Sequence, residues 1–367
     1  MEAVNTRFQH IMLPAQDEQG QHILSVIAKR TYDILPDDRL RASETQTPLT
    51  PGDLYFNNGD PLTTSCEQES DYIPYKCATD VVFNGKAYAP HKRKTIELPV
   101  QIRIGNAVKQ IIVFGNRTCV YRKFFEPFFS DPEPFYTMDI RYENAYGGTN
   151  INPKNGQNLS YPRNPIGKGF VFENTRESTN KLELPNLEDP HDILTPEHMF
   201  VEEMANWQHF PMPQSFGWYG KSWFPRATFA GVMPADTPLY DEIREAHIGY
   251  IPKEHIEDFK KLKMKVMDFR FFNGAGPGLV VPFLSGSEMV RLVNLDPNFP
   301  DLRFELPGEI PHIGIDTGDG PIETEVYLHT VMILKEQNQV CLTWRGSMPY
   351  GGPDQFEHFK DFEITVE

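Results

Sequence analysis

Apolar and polar residues alternate between Thr95 and Gly115: Ile96, Leu98, Val100, Ile102 and Ile104 share one parity, and Glu97, Gln101 and Arg103 the other. A period of two puts each set on its own face of a strand. Gly105-Asn106 then turns the chain into a return strand carrying Val108, Ile111, Ile112, Val113 and Phe114, which predicts a β-hairpin with one wet face. Gly115-Asn116 supplies the next turn, before Thr118 to Tyr121. Upstream, His22 to Ile34 reads as a long strand. Its stretch from Ile23 to Ala28 is nearly continuously apolar, the pattern of a strand covered on both faces, and Pro36-Asp37-Asp38 turns it back toward Arg39. Near the end of the chain Val326, Leu328, Met332 and Leu334 share one parity while Tyr327, Val331 and Ile333 share the other, again a strand covered on both faces. Residues 335–339 are polar and return it into Val340, Leu342 and Trp344, a second hairpin.

Between these β regions, residues 150–220 are dense in Pro, Asn, Gly and aromatics. A short helix is predicted over Pro196 to Trp207, with Thr195 as cap, Pro196 in the first turn and Glu197 facing the positive end of the dipole. A second runs from Pro252 to about Lys263, where Ile256, Phe259 and Leu262 fall at helical spacing. The architecture that follows is mainly β: a sandwich- or barrel-like antiparallel scaffold with long ordered loops and a few short helices. It is read as one large domain over 1–367. An N-terminal β region (1–149) and a C-terminal one (266–367) build the scaffold, and 150–265 is a loop-rich, partly helical insertion.

Composition sharpens this picture. Thirty-two prolines and 26 glycines break the chain often, while 26 Phe and 15 Tyr suit pleated surfaces. A net charge of −16 repels polyanions, so nucleic acid is not the expected partner. The densest basic run, Lys253 to Lys265, has Glu254, Glu257 and Asp258 interleaved with it and reads as a solvated helix face. The four cysteines, Cys66, Cys77, Cys119 and Cys341, are widely spaced and form no C-x-x-C pair; they read as free thiols of a reducing compartment. With no leader-like start and no apolar run near 20 residues, the chain is expected in the cytoplasm and off the membrane.

The chemical motifs each have a plainer reading. Gly274-Ala-Gly-Pro-Gly278 lacks the Lys-Ser/Thr of a phosphate loop and reads as a turn. His198 and Glu202 stand four apart, but a hydrolytic zinc site wants two His at that spacing and a third ligand. Asp316-Thr-Gly-Asp-Gly320 lacks the alternating acids and closing Glu of a calcium loop. His191-Asp192 has no serine elbow or activated cysteine to serve. No catalytic residue, metal or cofactor is therefore expected.

Several stretches, taken in order, do carry a resemblance: Ala28-Lys-Arg-Thr-Tyr-Asp33, Thr79-Asp-Val-Val-Phe-Asn-Gly85, Ala87-Tyr-Ala-Pro90, Val113-Phe-Gly-Asn-Arg117 and Asp131-Pro-Glu-Pro-Phe135. Tyr142-Glu-Asn-Ala-Tyr-Gly-Gly148, Asn164-Pro-Ile-Gly-Lys-Gly169, Leu184-Pro-Asn-Leu-Glu188, Trp223-Phe-Pro-Arg226, Leu306-Pro-Gly308 and Trp344-Arg-Gly346 continue the series. Together they resemble the domain-of-unknown-function family numbered 2169, found beside bacterial type VI secretion genes and regarded as effector adaptors or chaperones. The chain departs from the family's pattern at Asn116, at Ala230-Gly-Val-Met233 and at Gly276-Pro-Gly278. The resemblance implies a non-enzymatic protein that binds a secreted effector, or toxin, and helps load it onto the spike protein. An acidic surface suits a basic effector, with opposite charge speeding encounter. For the partner surface, exposed aromatics and arginines of the central loops are the candidates, because Trp, Tyr and Arg dominate binding hot spots: Trp207, Trp218, Tyr219, Trp223 and Arg226. A second reading, a glycan-acting hydrolase or carbohydrate-binding protein with aromatic loops, requires paired carboxylates in a cleft.

Overall fold

The computed structural model describes residues 8–17, 20–36, 38–121, 127–151, 156, 158–171, 180–196, 210–230, 269–316, 321–352 and 363–366. The strands that matter for the site are, in chain order, β1 (Gln9–Gln16), β2 (His22–Ile34), β3 (Thr79–Asn84), β4 (Glu97–Ile104), β5 (Ala107–Phe114) and β6 (Leu187–Glu188). They continue as β7 (Val280–Val281), β8 (Met289–Val293), β9 (Asp301–Glu305), β10 (Ile313–Asp316), β11 (Glu325–Leu334) and β12 (Gln339–Pro349). The first sheet runs β1-β2-β12-β11-β3-β7, with a short strand at Leu40–Ala42 paired to the end of β2. The second runs β6-β5-β4-β8-β9.

Local pattern and observed strand agree where the period is clear. The strand at His22–Ile34 forms with those bounds, and the 97–114 hairpin buries Leu98, Val100, Ile102 and Ile104 while exposing Glu97 and Arg103. The two sheets bring Tyr32, Val81, Phe83, Val331, Leu342 and Trp344 of the first against Val100, Ile102, Ile111, Val290 and Phe304 of the second in one core. The architecture is thus mainly β with open sheets, and the closed barrel is excluded for the described strands. Within these two sheets pairing is antiparallel with one exception: β11 runs parallel to β3, Thr330 facing Asp80 and Ile333 facing Phe83. The helices expected at Pro196–Trp207 and Pro252–Lys263 fall outside the described residues, Thr195 and Pro196 apart. None of the described helices is long and apolar enough to cross a membrane.

The reverse face of the first sheet is polar yet buried. Register places Lys29 opposite Thr343, Thr343 opposite Thr330, and Thr330 opposite Asp80, across four neighbouring strands. Lys29 and Asp80 are fully buried. Such a layer is tolerable only if its charges are paired and its donors filled, and the segment from Ser43 to Cys77 does this. Lys29 Nζ donates to Asp71 Oδ2 at 2.8 Å, Asp71 Oδ2 also accepts from the Thr50 amide at 2.9 Å, and Gln46 caps Thr31 from both sides. Arg345, also buried, meets no such carboxylate among the described residues; its guanidinium lies 4.4 Å from the Tyr75 ring centroid and 5.2 Å from that of Tyr327. The π faces supply the compensation.

On the outer face of the second sheet, Arg103, Arg291 and Arg303 stand in one cross-strand row. Like charges in that register repel, and Asp301 relieves it by accepting from Arg303 Nη2 and Arg291 Nε, both at 2.7 Å. Those hydrogen bonds, Arg303 first and Arg291 next, hold the Asp301 carboxyl well below the usual carboxylate range. Because the folded value lies below the unfolded one, the contribution is present above about pH 4 and fades as pH falls toward the folded value. Asp301 is 39% exposed, so solvent screens the pair. Asp301→Asn is expected to cost about 0.2–1 kcal/mol at pH 7 and to lose that effect in strong acid, checked by urea unfolding at both pH values.

Candidate functional site

Three segments meet beside β3 and β7: residues 66–80, 210–230 and 269–280. Their junction is held by charge pairs far apart in sequence. Arg226, opening the one-turn helix Arg226–Phe229, forks onto Glu69: Nη2 donates to Oε2 at 2.9 Å and Nη1 to Oε1. The guanidinium also donates from Nη1 to the Tyr219 carbonyl at 2.6 Å and from Nε to the Phe271 carbonyl at 2.9 Å. Both Arg226 and Glu69 are 4% exposed. Deeper in, Asp80 accepts from Lys76 Nζ at 2.6 Å, from the amides of Gly274 and Ala275 at 3.1 Å each, and from Asn273 Nδ2 at 3.3 Å. The glycine-rich run Gly274–Gly278 is therefore a turn, with Gly278 at φ +84°, whose amides hold the chain's own carboxylate.

Aromatic packing sits on this frame. Tyr142, Tyr219 and Trp223 meet edge to face in a closed triad, with centroids 5.5, 5.1 and 5.2 Å apart. Gly220 lies under the Trp223 indole, where an added Cβ would come within 2.5 Å of the ring, so only glycine allows that approach. The Tyr219 hydroxyl donates to the Phe224 carbonyl at 2.6 Å.

Above the triad opens a cleft of about 570 Å³, walled by Met212, Tyr219, Pro225, Phe229, Pro277 and Val280. Its polar groups are Arg226, already paired, with Arg270, Asn273 and Cys77. Arg270 lies over the Phe229 ring at 4.4 Å from its centroid. The cleft is thus an apolar receptacle on rigid walls, the form that seats an apolar side chain or chain segment.

The sequence-predicted residues divide accordingly. Tyr219 and Arg226 border the cleft, Trp218 and Trp223 lie behind it, and Trp207 falls outside the described residues. The expected exposure does not hold: Trp218, Tyr219, Trp223 and Arg226 are all 3–4% exposed. They are buried because each finds a partner from a distant segment: Ala275 bridges to Trp218, Tyr142 packs on Tyr219 and Trp223, and Glu69 pairs with Arg226. The His198/Glu202 pair lies outside the described residues, and His191 and Asp192 are exposed.

Chemistry at the remaining candidates is muted by burial. The Cys66 thiol is pushed far up, by burial first and then by Glu69 and Asp53, so it stays protonated at neutral pH. His329 is held neutral by burial and by the charges of Arg345 and Lys76. None of the four cysteines is in a disulfide. Val280, at 40% exposure on the cleft rim, and Glu69, 157 residues from its partner, carry no local signature in the sequence.

A family model described as an uncharacterized protein conserved in bacteria (DUF2169) matches residues 19–345. No curated protein and no solved structure matches the chain.

Proposed function

We propose that this chain, which belongs to the conserved bacterial family DUF2169, is a non-enzymatic adaptor or chaperone that holds a secreted type VI effector and helps load it onto the spike protein. The cleft of about 570 Å³ is the observation that carries this reading, since a preformed apolar receptacle with a fixed floor lowers the cost of ordering a partner segment. The order of motifs along the chain supports the family role, and the net charge of −16 suits a cationic effector. Loading of this kind places the protein in the donor cytoplasm. Among the described residues that line the cleft there is no carboxylate, which favours docking over glycan hydrolysis.

The test is a pull-down of the tagged chain from its native cytoplasm at low and moderate salt, with mass spectrometry of the retained proteins. Recovery of a toxin or spike protein supports the reading, and clean negatives at both salts overturn it. Val280→Glu places a charge at the exposed rim of the cleft. It is expected to weaken capture at least about tenfold, roughly 1.4 kcal/mol, while changing unfolding stability by no more than about 0.5 kcal/mol. Capture unchanged by V280E would remove the cleft from the interface.

A further inference from the structure

We infer that Lys109 is a reactive amine, at which the chain takes up a small aldehyde as an imine on Nζ in a cavity of about 450 Å³ beside the apolar cleft. The inference is independent of the docking reading.

Its first support is position. On β5 the inward set is Lys109, Ile111 and Val113, and Lys109 lies opposite core-facing Ile102 of β4. A lysine thus occupies a place where the alternation calls for an aliphatic residue, and breaks of that kind concentrate at functional sites. A second support is poor pairing. The side chain is 8% exposed, yet among the described residues the hydrogen bond formed by Nζ is to a neutral acceptor, the Pro277 carbonyl at 2.5 Å. Three donors on a buried ammonium would need more than this. Lys29, Lys76 and Lys335, the other buried lysines among the described residues, each hold a carboxylate within 2.8 Å. Burial, partly opposed by the charge of Asp189, brings the Lys109 pKa down to about 7. The third support is space, for Lys109 lines the cavity with Gln110, Asp189, His191, Met212 and Gln214. That cavity adjoins the apolar cleft, sharing Met212 and Pro277 with it, and has room for a small carbonyl compound.

In the step itself the Nζ lone pair adds to the aldehyde carbon, and a proton passes from nitrogen to oxygen to give the carbinolamine. A second proton then reaches the carbinolamine hydroxyl as the C–O bond breaks, water leaves with the electron pair of that bond, the nitrogen lone pair forms the C=N bond, and the nitrogen gives up its remaining proton to leave the neutral imine. No oxidant or reductant enters. Asp189 and His191 at the cavity wall can relay the proton.

At pH 7 an ordinary lysine is neutral about once in 2,500 molecules, whereas one titrating near 7 is neutral about half the time. The full-length chain is therefore treated briefly with acetaldehyde and cyanoborohydride, which reduces the imine to a stable ethylamine, and labelling of each lysine is timed by peptide mass spectrometry. At pH 7 Lys109 is expected to label at least about tenfold faster than exposed Lys92, with the advantage gone at pH 10.5 and gone in strong urea. Labelling of folded Lys109 no faster than Lys92 at pH 7 would overturn the inference. So would an advantage that survives unfolding, since the cause would then be local sequence.

Discussion

Arg226→Ala is expected to lower the free energy of unfolding by about 3–5 kcal/mol, seen as a large fall in the urea midpoint at pH 7. The substitution strips Glu69 of its forked partner while leaving that carboxylate 4% exposed, and it takes donors from the Tyr219 and Phe271 carbonyls. An unpaired buried charge, far more than the attraction lost, sets the size of the effect. Arg226→Lys keeps the charge but not the planar fork and should recover only part of the loss. Arg226→Met combined with Glu69→Leu removes both charges and should come within about 2 kcal/mol of the parent, because replacing a buried pair by apolar groups is often close to neutral. A single-alanine loss under about 1 kcal/mol would mean that the pair does not frame the cleft.

This result bears on how partner binding is tested. Truncations at Tyr219, Trp223 or Arg226 disturb the frame itself, since the three are interlocked through Tyr142, Gly220 and Glu69. Lost capture in such variants would report unfolding as readily as a lost contact. The rim at Val280 separates the two, being 40% exposed on a strand only two residues long.

What the sequence revealed and what it withheld follow from the range of each signal. Alternation is a property of neighbouring residues, so the strand His22–Ile34, the 97–114 hairpin and the terminal hairpin could be drawn from pattern alone. Lys29 interrupts the apolar run of β2 without ending the strand, since its partner Asp71 lies in a loop 42 residues away that no local pattern links to it. The parallel pairing of β11 with β3 joins residues about 250 apart, beyond any periodicity. The aromatics misled for the same reason. A tryptophan between Gly, Pro and Ser looks like an exposed anchor, and Tyr142, from 81 residues upstream, helps turn Trp223 into core. Lys109 was legible in principle, because it stands two residues from Ile111 on the inward parity, but the aliphatic residues around it carried the reading.

Asp80→Ala is the second substitution expected to cost about 3–5 kcal/mol. Asp80 is fully buried on β3, and four donors converge on it: Lys76 Nζ, the Gly274 and Ala275 amides, and Asn273 Nδ2. Removing the carboxylate leaves a lysine ammonium with the Thr330 hydroxyl at 3.0 Å and two amides without an acceptor. It also frees the turn that carries Asn273, Ala275 and Pro277 into the cleft wall. Lys76→Met alone strands a buried carboxylate that retains three neutral donors, so it should cost less than Asp80→Ala. The double variant D80A/K76M should recover part of the single alanine's loss, because the stranded ammonium is gone while the amides stay unpaired. Hydrogen exchange at Gly274 and Ala275 reads the local part directly. In D80A these amides should exchange markedly faster than those of β4, whose hairpin shares no partner with Asp80. Protection at 274–275 equal to the parent's would show that the turn holds its shape without the carboxylate, and the cleft wall would then have to owe its rigidity to the Tyr219–Gly274 and Trp218–Ala275 pairings instead.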